Sequence, residues 1–219
     1  MNNIIGIVGF LGSGKNTVGN FLIDQHNYRR DSFAGPLKDI VGIVFGWDRE
    51  LLEGETAESR EWRDQPDVWW EDRLDWANHK LNYMKRRFTP RLALQLWGTD
   101  VLRNHFFDSI WIASLEYRMI GAQNTVITDC RFPNEIKIIR ELGGKVIRVR
   151  RGPEPEWWDT ALAANSDFTH APECAKALDK LGIHISEWAW IGQTFDATIT
   201  NDSTLAELEE QTRWTISKI

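Results

Sequence analysis

Cysteine is scarce in this chain, with only Cys130 and Cys174 among 219 residues. Two cysteines do not make the disulfide framework of a small secreted domain, and no cluster of cysteine and histidine has the spacing of a zinc site. Long apolar runs are also missing, since no stretch approaches the roughly 20 residues of a membrane-spanning helix. We therefore expect a soluble cytoplasmic protein without a membrane partner.

A surplus of basic residues is absent as well, because 26 lysines and arginines stand against 32 aspartates and glutamates, giving a net charge of −6. Proteins that hold nucleic acid usually carry a basic surplus, so we expect no stable nucleic-acid partner. The apolar run near the start is short and lacks a basic segment before it, which is not typical of a signal peptide. The length suits one domain, alone or with an inserted lobe.

The stretch from residue 4 to residue 17, IIGIVGFLGSGKNT, carries the most specific signal. It begins with a β-branched run of strand length, continues with a glycine-rich turn, and has apolar residues at helical spacing after Lys15. Strand, glycine loop, lysine and helix form a phosphate-binding loop, because inward-pointing backbone N–H groups and the helix N-terminus attract phosphate. Gly9, Gly14 and Lys15 match the spacing G-x-x-x-x-G-K of such a loop.

The residue after Lys15 departs from this pattern. Asn16 stands where a serine or threonine hydroxyl usually meets Mg²⁺, and Thr17 follows one place later. Two arrangements are open: Thr17 takes over the role, or Asn16 holds the metal through its amide oxygen or a water. In either case the predicted nucleotide-binding residues of the loop are Gly12, Ser13, Gly14, Lys15, Asn16 and Thr17.

Strand and helix patterns alternate along the rest of the chain, which predicts right-handed crossovers between parallel strands. The expected fold is therefore α/β, with the three layers of P-loop NTPases around a parallel five-stranded sheet. Pro90 is typical of the first position of a helix, and Gly98 predicts the end of that helix. Thr99 and Asp100 then predict the cap of a further helix. The predicted strands are 4–8, 28–33, 125–129, 145–150 and 195–200, and the main predicted helices are 15–26, 36–46, 133–142 and 172–181.

Two segments interrupt the alternation. Residues 47–88 combine tryptophans with dense charge, and we predict an inserted helical arm in which large aromatic side chains supply the packing. Residues 151–183 consist of a polar, proline-containing stretch, 154–169, followed by a modest helix. Because this length lacks strong periodicity, we predict a mobile lid there.

Charged residues stand at two predicted strand ends, where open α/β sheets bind ligands. Asp129 could bind a water held by a metal, and Arg131 could bind phosphate through two parallel N–H groups. The alternative is structural: Asp129 caps the following helix, and Arg131 is its surface partner. Arg148, Arg150 and Arg151 form a basic cluster at the other strand end.

Three further polar residues lie on predicted helices. Lys38 faces away from the apolar stripe of its helix, and its plainest interpretation is a solvated surface lysine. Arg91 and Gln95 are four residues apart and share one helix face. That spacing is typical of a helix surface and only weakly suggests a ligand contact.

The chain resembles the deoxynucleoside monophosphate kinases of tailed phages, within the P-loop nucleoside monophosphate kinase superfamily. The order of the shared motifs is more specific than any one of them, and they cover most of the chain outside 47–88 and 152–183. Animal-type phosphomevalonate kinases have a similar layout. The motifs are GFLGSGKNT (9–17), FAGPLKD (33–39), PRLALQLWGTD (90–100), DSIWI (108–112), ITDCRFPNE (127–135), HISE (184–187) and ATITNDSTLAEL (197–208).

The resemblance implies a kinase domain with a lid and a helical monophosphate-binding insertion. It implies transfer of the γ-phosphoryl group of ATP, with Mg²⁺, to a deoxynucleoside monophosphate. Lys15 and the loop amides would bind the donor phosphates, Thr17 would bind Mg²⁺, and Asn201 would lie near adenine. The acceptor would meet Lys38, Arg91, Gln95, Gly98, Thr99, Asp100, Trp111 and Arg131.

Phosphoryl transfer depends on positioning and charge neutralisation. We expect Lys15 and Arg131 to hold the transferring group together with one or more of Arg148, Arg150 and Arg151, of which Arg151 is the chosen catalytic candidate. Asp129 is expected to orient a water on Mg²⁺, while lid closure excludes bulk water. Asn16 replaces the acidic residue that we associate with the phage family. The expected role is dNTP supply for phage DNA synthesis in the infected host, with nucleotides as partners; a homodimer is left open.

Three other functions remain open at this stage. One is a kinase of another small phosphorylated metabolite, such as phosphomevalonate. A second is a P-loop switch that hydrolyses nucleotide, although the sequence has no N-K-x-D motif for guanine. A third is a catalytically silent nucleotide-binding module, which the presence of Lys15, Asp129 and Arg131 disfavours.

Overall fold

The structure is a computed structural model of the chain and describes residues 3–82, 85–166 and 169–219. Residues 83–84 of the predicted arm and residues 167–168 of the predicted lid lie outside these ranges. The chain divides into two units, of which one consists of residues 1–33 and 114–219 and the other of residues 34–113. The predicted arm, 47–88, belongs to the second unit.

The first unit contains a five-stranded sheet in the order β2-β3-β1-β4-β5, and all its pairings are parallel. This confirms the predicted sheet. Three strands are shorter than their sequence patterns, because pairing with the neighbouring strand covers only part of each predicted run. The strands are β1 (Ile4–Val8), β2 (Arg29–Asp31), β3 (Thr125–Ile127), β4 (Lys145–Arg150) and β5 (Ala197–Thr200).

The helices largely follow the apolar periodicity. Within the described residues, none of them is long and apolar enough to span a bilayer. The helices are α1 (Lys15–His26), α2 (Gly35–Phe45), α3 (Arg49–Glu53), α4 (Ala57–Asp64), α5 (Val68–Arg73), α6 (Pro90–Gln95), α7 (Ile110–Met119), α8 (Pro133–Glu141), α9 (Trp158–Ala164), α10 (Ala171–Lys180), α11 (Ile185–Trp188) and α12 (Leu205–Ile216).

Helices cover both faces of the sheet. Ile5 and Ile7 of β1 belong to a buried core that includes side chains of α1 and α12. Gly6, between them, points to the other face, where a Cβ would lie 2.5 Å from Cδ1 of Ile139 in α8. Because successive strand residues face opposite sides, α8 lies across the sheet from α1 and α12. The first unit therefore has the predicted three layers.

The predicted helix break at Gly98 is wrong. The chain passes from α6 directly into a π-helix, Leu96–Phe106, and Thr99 and Asp100 lie inside it and cap nothing. Gly98 is buried, and a Cβ there would lie 2.6 Å from Cδ2 of Leu37 in α2. The glycine thus allows two helices of the second unit to approach each other, which a sequence pattern cannot distinguish from a helix stop.

Aromatic side chains form the core of the second unit. Phe45 stacks on Trp47 with ring centroids 4.6 Å apart and meets Trp70 edge-on at 4.9 Å. The indole N–H of Trp70 donates to the carbonyl oxygen of Phe45 at 2.9 Å, and that of Trp47 donates to Oδ2 of Asp67 at 2.7 Å. As predicted, large aromatic residues supply packing here, whereas Trp69 remains 57% exposed.

The polar stretch 154–169, for which the sequence predicts no helix bounds, contains α9. Two tryptophans at its start pack on Phe10 of the phosphate-binding loop, with ring centroids 5.4 Å away for Trp157 and 6.0 Å for Trp158. Trp190 contacts the same ring at 5.0 Å. The helix is weakly patterned because these contacts with distant parts of the chain stabilise it. Lid movement in 151–183 stays a prediction.

Substitution of Asp67 tests the packing of the second unit, because its carboxylate accepts hydrogen bonds from two separate parts of that unit. It caps α5 by accepting from the backbone N–H of Trp70 at 3.1 Å, and it accepts the indole N–H of Trp47. We expect Asp67→Ala to lower the free energy of unfolding by about 2 kcal/mol. The substitution removes the N-cap of α5 and leaves the partly buried indole N–H of Trp47 without its acceptor. Urea denaturation followed by tryptophan fluorescence measures this change.

Asp72→Ala is the matched control, because Asp72 lies exposed on the same helix. Its loss is expected to change the free energy of unfolding by less than about 0.5 kcal/mol. Equal urea midpoints for the two variants would contradict the assigned role of Asp67.

Candidate active site

The phosphate-binding loop leaves β1 at Gly9 and enters α1 at Lys15. Gly9 has a φ of +148°, and a Cβ there would lie 2.2 Å from the carbonyl oxygen of Val149 in β4. Gly12 and Gly14 have φ values of +79° and +102°, which residues with side chains rarely adopt. All three glycines are therefore required by the backbone, and the loop runs closely along the end of β4.

Asn201, predicted to lie near adenine, is placed beside the loop. Its Nδ2 donates to the carbonyl oxygen of Ser13 at 2.9 Å, and its backbone N–H donates to the carbonyl oxygen of Arg150 at 2.8 Å. A Cβ on Gly14 would lie 2.5 Å from the same Nδ2. Asn201 thus ties the loop to the end of β5, and contact with adenine stays a prediction. The Ser13 hydroxyl is buried and makes no hydrogen bond with the described residues.

Lys15 lies at the centre of the loop. Its Nζ donates to the carbonyl oxygens of Gly9 and Phe10, both at 2.7 Å. Burial, followed by the nearby positive charge of Arg131, lowers the pKa of Lys15 from 10.5 to about 8, while the Glu187 carboxylate acts in the opposite direction. An ammonium group so placed gains strongly from an added anion, which is what a phosphate ligand supplies.

Arg131 follows β3 and is held by two segments. Its Nη1 donates to Oε1 of Glu187 at 2.6 Å and to Oγ of Ser186 at 3.2 Å. Oε2 of Glu135 accepts the backbone N–H groups of Arg131 at 2.8 Å and of Phe132 at 3.2 Å, and so caps α8. The motif HISE (184–187) pointed to this segment, but sequence spacing gave no sign that Glu187 and Ser186 contact Arg131.

Asp129 does not cap α8; its Oδ1 accepts the backbone N–H of Phe33 at 3.1 Å. Among the described residues no group of three or more histidine, cysteine, aspartate or glutamate side chains forms a metal site. Such a group is not needed for Mg²⁺, which keeps several waters and takes phosphate oxygens with one or two protein ligands. The oxygen donors of Asp129, Thr17 and Asn16 fit those preferences.

Cys130, between Asp129 and Arg131, is fully buried, and its Sγ lies 3.7 Å from the carbonyl oxygen of Ile127. Burial, with the charges of Asp129 and Glu135, raises the pKa of the Cys130 thiol. The thiol therefore stays protonated and packs as a small apolar side chain.

Arg148 is built into the protein interior. Its Nη2 donates to both carboxylate oxygens of Glu154, at 2.6 and 2.7 Å. Its guanidinium carbon lies 4.5 Å from the ring centroid of Trp158 and 5.2 Å from that of Trp190. With 12% of its side chain exposed, Arg148 is occupied as a structural cation.

The other two arginines of this cluster differ from Arg148. Nε of Arg150 donates to the carbonyl oxygen of Gly152 at 3.1 Å, and the backbone N–H of Gly152 donates to Asp202 at 2.5 Å. Arg151 is exposed and makes no hydrogen bond or ion pair with any residue in the described ranges. The catalytic role of Arg151 stays a prediction.

In the second unit, Lys38 is not the solvated lysine that its helix position suggests. Its Nζ lies 2.5 Å from Oε2 of Glu53, and 13% of its side chain is exposed. Glu53 also bonds Arg49, which reaches back to Asp39 at 2.5 Å. Burial would raise the pKa of Glu53, but the charges and hydrogen bonds of Lys38 and Arg49 outweigh it and lower that pKa.

Arg91 on α6 is paired as well, with its Nε and Nη2 on the two carboxylate oxygens of Asp64. The pair is partly exposed, so its contribution to stability is small. Gln95 and Thr99 are exposed, and Asp100 is half-buried with its carbonyl oxygen 2.5 Å from Nδ1 of His105.

Trp111 is buried, and its indole N–H donates to the carbonyl oxygen of Gly98 at 3.0 Å. The structure thus brings together two residues that the resemblance placed at the acceptor. The space beside Gly98 is filled by Leu37.

The first unit has a parallel sheet whose first strand leads through a glycine loop and a buried lysine into a helix. An anchored arginine follows the neighbouring strand. These features define a P-loop protein of the phosphotransferase type.

The profile of the deoxynucleotide monophosphate kinase family matches residues 64–212. The chain therefore belongs to the deoxynucleotide monophosphate kinase family, and it is a kinase. The resemblance found in the motifs is confirmed.

Two relatives support this assignment. A protein of Acanthamoeba polyphaga mimivirus, provisionally named a deoxynucleotide monophosphate kinase, is 33% identical over 162 residues, covering 68% of this chain and 74% of its own. The deoxynucleoside-5'-monophosphate kinase of Escherichia phage T5 is 29% identical over 182 residues, covering 64% and 73%. Among solved structures, a dephospho-CoA kinase from Campylobacter jejuni aligns over 99% of this chain and 97% of its own, with 12% identity and a TM-score of 0.46.

The lowered pKa of Lys15 makes phosphate binding depend on pH. Below its pKa of about 8 the ammonium is already protonated, and the affinity for ATP is expected to be nearly constant. Above that value binding must take up a proton, so the affinity should fall by up to about tenfold per pH unit. Isothermal titration calorimetry with ATP and Mg²⁺ at a series of pH values measures this slope.

Lys15→Met is the control, because it removes the titrating group from the loop. Its weaker binding of ATP should lack the decline above about pH 8. An equal decline in both proteins would show that another group is responsible.

Proposed function

We propose that the protein transfers the γ-phosphoryl group of ATP to a deoxynucleoside 5'-monophosphate, giving the diphosphate and ADP. The observation that carries this proposal is the buried Lys15, held in a glycine loop beside Arg131, in a chain of the deoxynucleotide monophosphate kinase family. The names of the mimivirus and phage relatives support the acceptor class.

The donor is bound by the loop. Backbone N–H groups of residues 12–17 face the phosphates together with the N-terminus of α1, and the Lys15 ammonium binds the terminal phosphates as a compact charge. On binding, Nζ exchanges carbonyl acceptors for charged phosphate oxygens, which are stronger acceptors. The loop therefore fixes the γ-phosphorus in position.

Mg²⁺ supplies charge neutralisation on the phosphate oxygens. Thr17 would be the direct ligand, with Asn16 as the alternative, and Asp129 would orient a water on the metal. Asp129 is already oriented by the backbone N–H of Phe33. It acts as an orienting carboxylate, since phosphoryl transfer does not require an obligatory base.

The acceptor is bound by residues of the second unit. Lys38 and Arg91 are the proposed cations for the monophosphate, and each is held by a carboxylate, Glu53 or Asp64. Holding these long side chains in place reduces the entropy lost when phosphate binds. Gln95, Thr99 and Asp100 are proposed to meet the sugar or the base, and Trp111 fixes the backbone at Gly98.

Arg131 and Arg151 neutralise charge on the transferring phosphoryl group. Segment 151–183 is proposed to close over the site and exclude water, which protects ATP from hydrolysis. The proposed role is the supply of deoxynucleoside triphosphates for phage or viral DNA synthesis.

Coupled ADP production tests the proposal. The panel consists of ATP and Mg²⁺ with dTMP, dGMP, dCMP, dAMP, 5-hydroxymethyl-dCMP, the ribonucleotides and phosphomevalonate. We expect turnover with one or more deoxynucleoside monophosphates. Lys15→Met and Arg131→Ala should each lower kcat by about 10²-fold or more, because both remove charge from the phosphoryl group in transfer.

Lys137→Met on α8 is the matched control, since Lys137 is exposed and, among the residues that the structure describes, pairs only with Glu141. Its kcat should equal that of the wild type. Turnover without an added acceptor would instead indicate a nucleotide-hydrolysing switch, and turnover only with phosphomevalonate would indicate a metabolite kinase. Both outcomes would refute the proposed acceptor.

The arginine cluster yields a second, independent comparison. Arg151→Met should lower kcat by about tenfold with little change in thermal stability, because Arg151 is exposed and unpaired within the described residues. Arg148→Met should mainly lower the melting temperature, because the partly buried Glu154 loses its close partner and keeps only Arg150, at 4.0 Å. Steady-state kinetics and calorimetry measure both effects. A loss of stability in Arg151→Met and a loss of kcat alone in Arg148→Met would contradict the assigned roles.

A further inference from the structure

The guanidinium of Arg131 is held from one side only. Nη1 bonds Glu187 and Ser186, at 2.6 and 3.2 Å. Nε and Nη2 make no hydrogen bond to any residue within 3–82, 85–166 and 169–219, and 43% of the side chain is exposed. One edge of the planar fork, carrying two parallel N–H donors, is therefore free to bind a phosphate in the two-pronged way that arginine favours.

The segment that holds Nη1 is itself anchored. Nδ1 of His184 accepts the backbone N–H of Ser186 at 3.2 Å and lies 2.9 Å from its hydroxyl. Trp188, at the end of α11, is buried, and its carbonyl oxygen accepts Nδ2 of Asn165 at 2.8 Å. Glu187 therefore projects from a fixed backbone.

We infer that Glu187, assisted by Ser186, is a positioning residue for the kinase reaction: it holds Arg131 by Nη1 and presents the Nε–Nη2 edge to the transferring phosphoryl group. This inference rests on the proposed function. Glu187 touches no substrate in this scheme and acts only through Arg131. Its negative charge also acts against the lowering of the Lys15 pKa.

Side-chain NMR tests the positioning without any need for turnover. The ¹⁵N–¹H signal of Arg131 Nε is assigned from its loss in Arg131→Lys, and its heteronuclear NOE is measured. We expect a high NOE in the wild type and, in Glu187→Gln, a fall towards the value of exposed Arg213. Glu173→Gln, at an exposed site on α10, should leave the signal unchanged. An unchanged NOE in Glu187→Gln would overturn the inference.

A double-mutant cycle tests the consequence for the reaction. Glu187→Gln should lower kcat by about tenfold with little change in either KM, because a misplaced group loses transition-state contact. Arg131→Ala should lower kcat by at least about 10²-fold. In the Arg131→Ala background, Glu187→Gln should have no further effect, whereas a purely structural role would reduce kcat again.

The experiments distinguish failure of the proposed function from failure of the inference about Glu187. A wild type that transfers no phosphoryl group refutes the proposed function, and the NMR result still decides whether Glu187 positions Arg131. An active wild type with additive effects in the cycle refutes the inference alone. If Glu187→Gln folds poorly by circular dichroism, Ser186→Ala replaces it, with an expected loss in kcat of about threefold.

Discussion

The contact between the backbone of the phosphate-binding loop and the end of β4 is the constraint on which the rest of the site depends. Val8 pairs with Arg148 in the parallel register, so Gly9 meets Val149, and only a glycine fits there. Phe10, next in the loop, packs on Trp158 and Trp190, the two tryptophans around Arg148, and Asn201 bonds the loop at Ser13. A side chain at Gly9 would separate the loop from β4 and disturb every one of these contacts together.

The elements that follow local rules could be predicted from the sequence. Helix α1 begins after Gly14 and ends at His26, and β4 has the predicted bounds, because alternation and helical spacing record which face of each element is buried. Helix α9 and the continuous helix at Gly98 could not be predicted. Both depend on contacts with distant residues, Phe10 in one case and Leu37 in the other, which leave no periodic trace.

The residues of the candidate site also fall into those that the sequence predicts and those that it does not. The loop and Lys15 follow from spacing alone, since the phosphate-binding conformation is a local property of the backbone. The partners of the cations do not: Glu53 is 15 residues from Lys38, and Glu187 is 56 residues from Arg131. A carboxylate at such a separation looks like any other surface acid in a sequence. Lys38, Arg91 and Arg131 are each held in an ion pair, which fixes their direction before any ligand contributes, whereas Lys15 is held by backbone carbonyl oxygens.

The two cysteines differ in a way that has a practical use. Cys130 is sealed inside the first unit with its thiol protonated, whereas Cys174 is partly accessible on α10, within the predicted lid. Thiol-reactive dyes require a thiolate that solvent can reach. A maleimide fluorophore would therefore attach at Cys174 in the unmodified protein, where its emission reports on the segment directly, with no cysteine having to be removed.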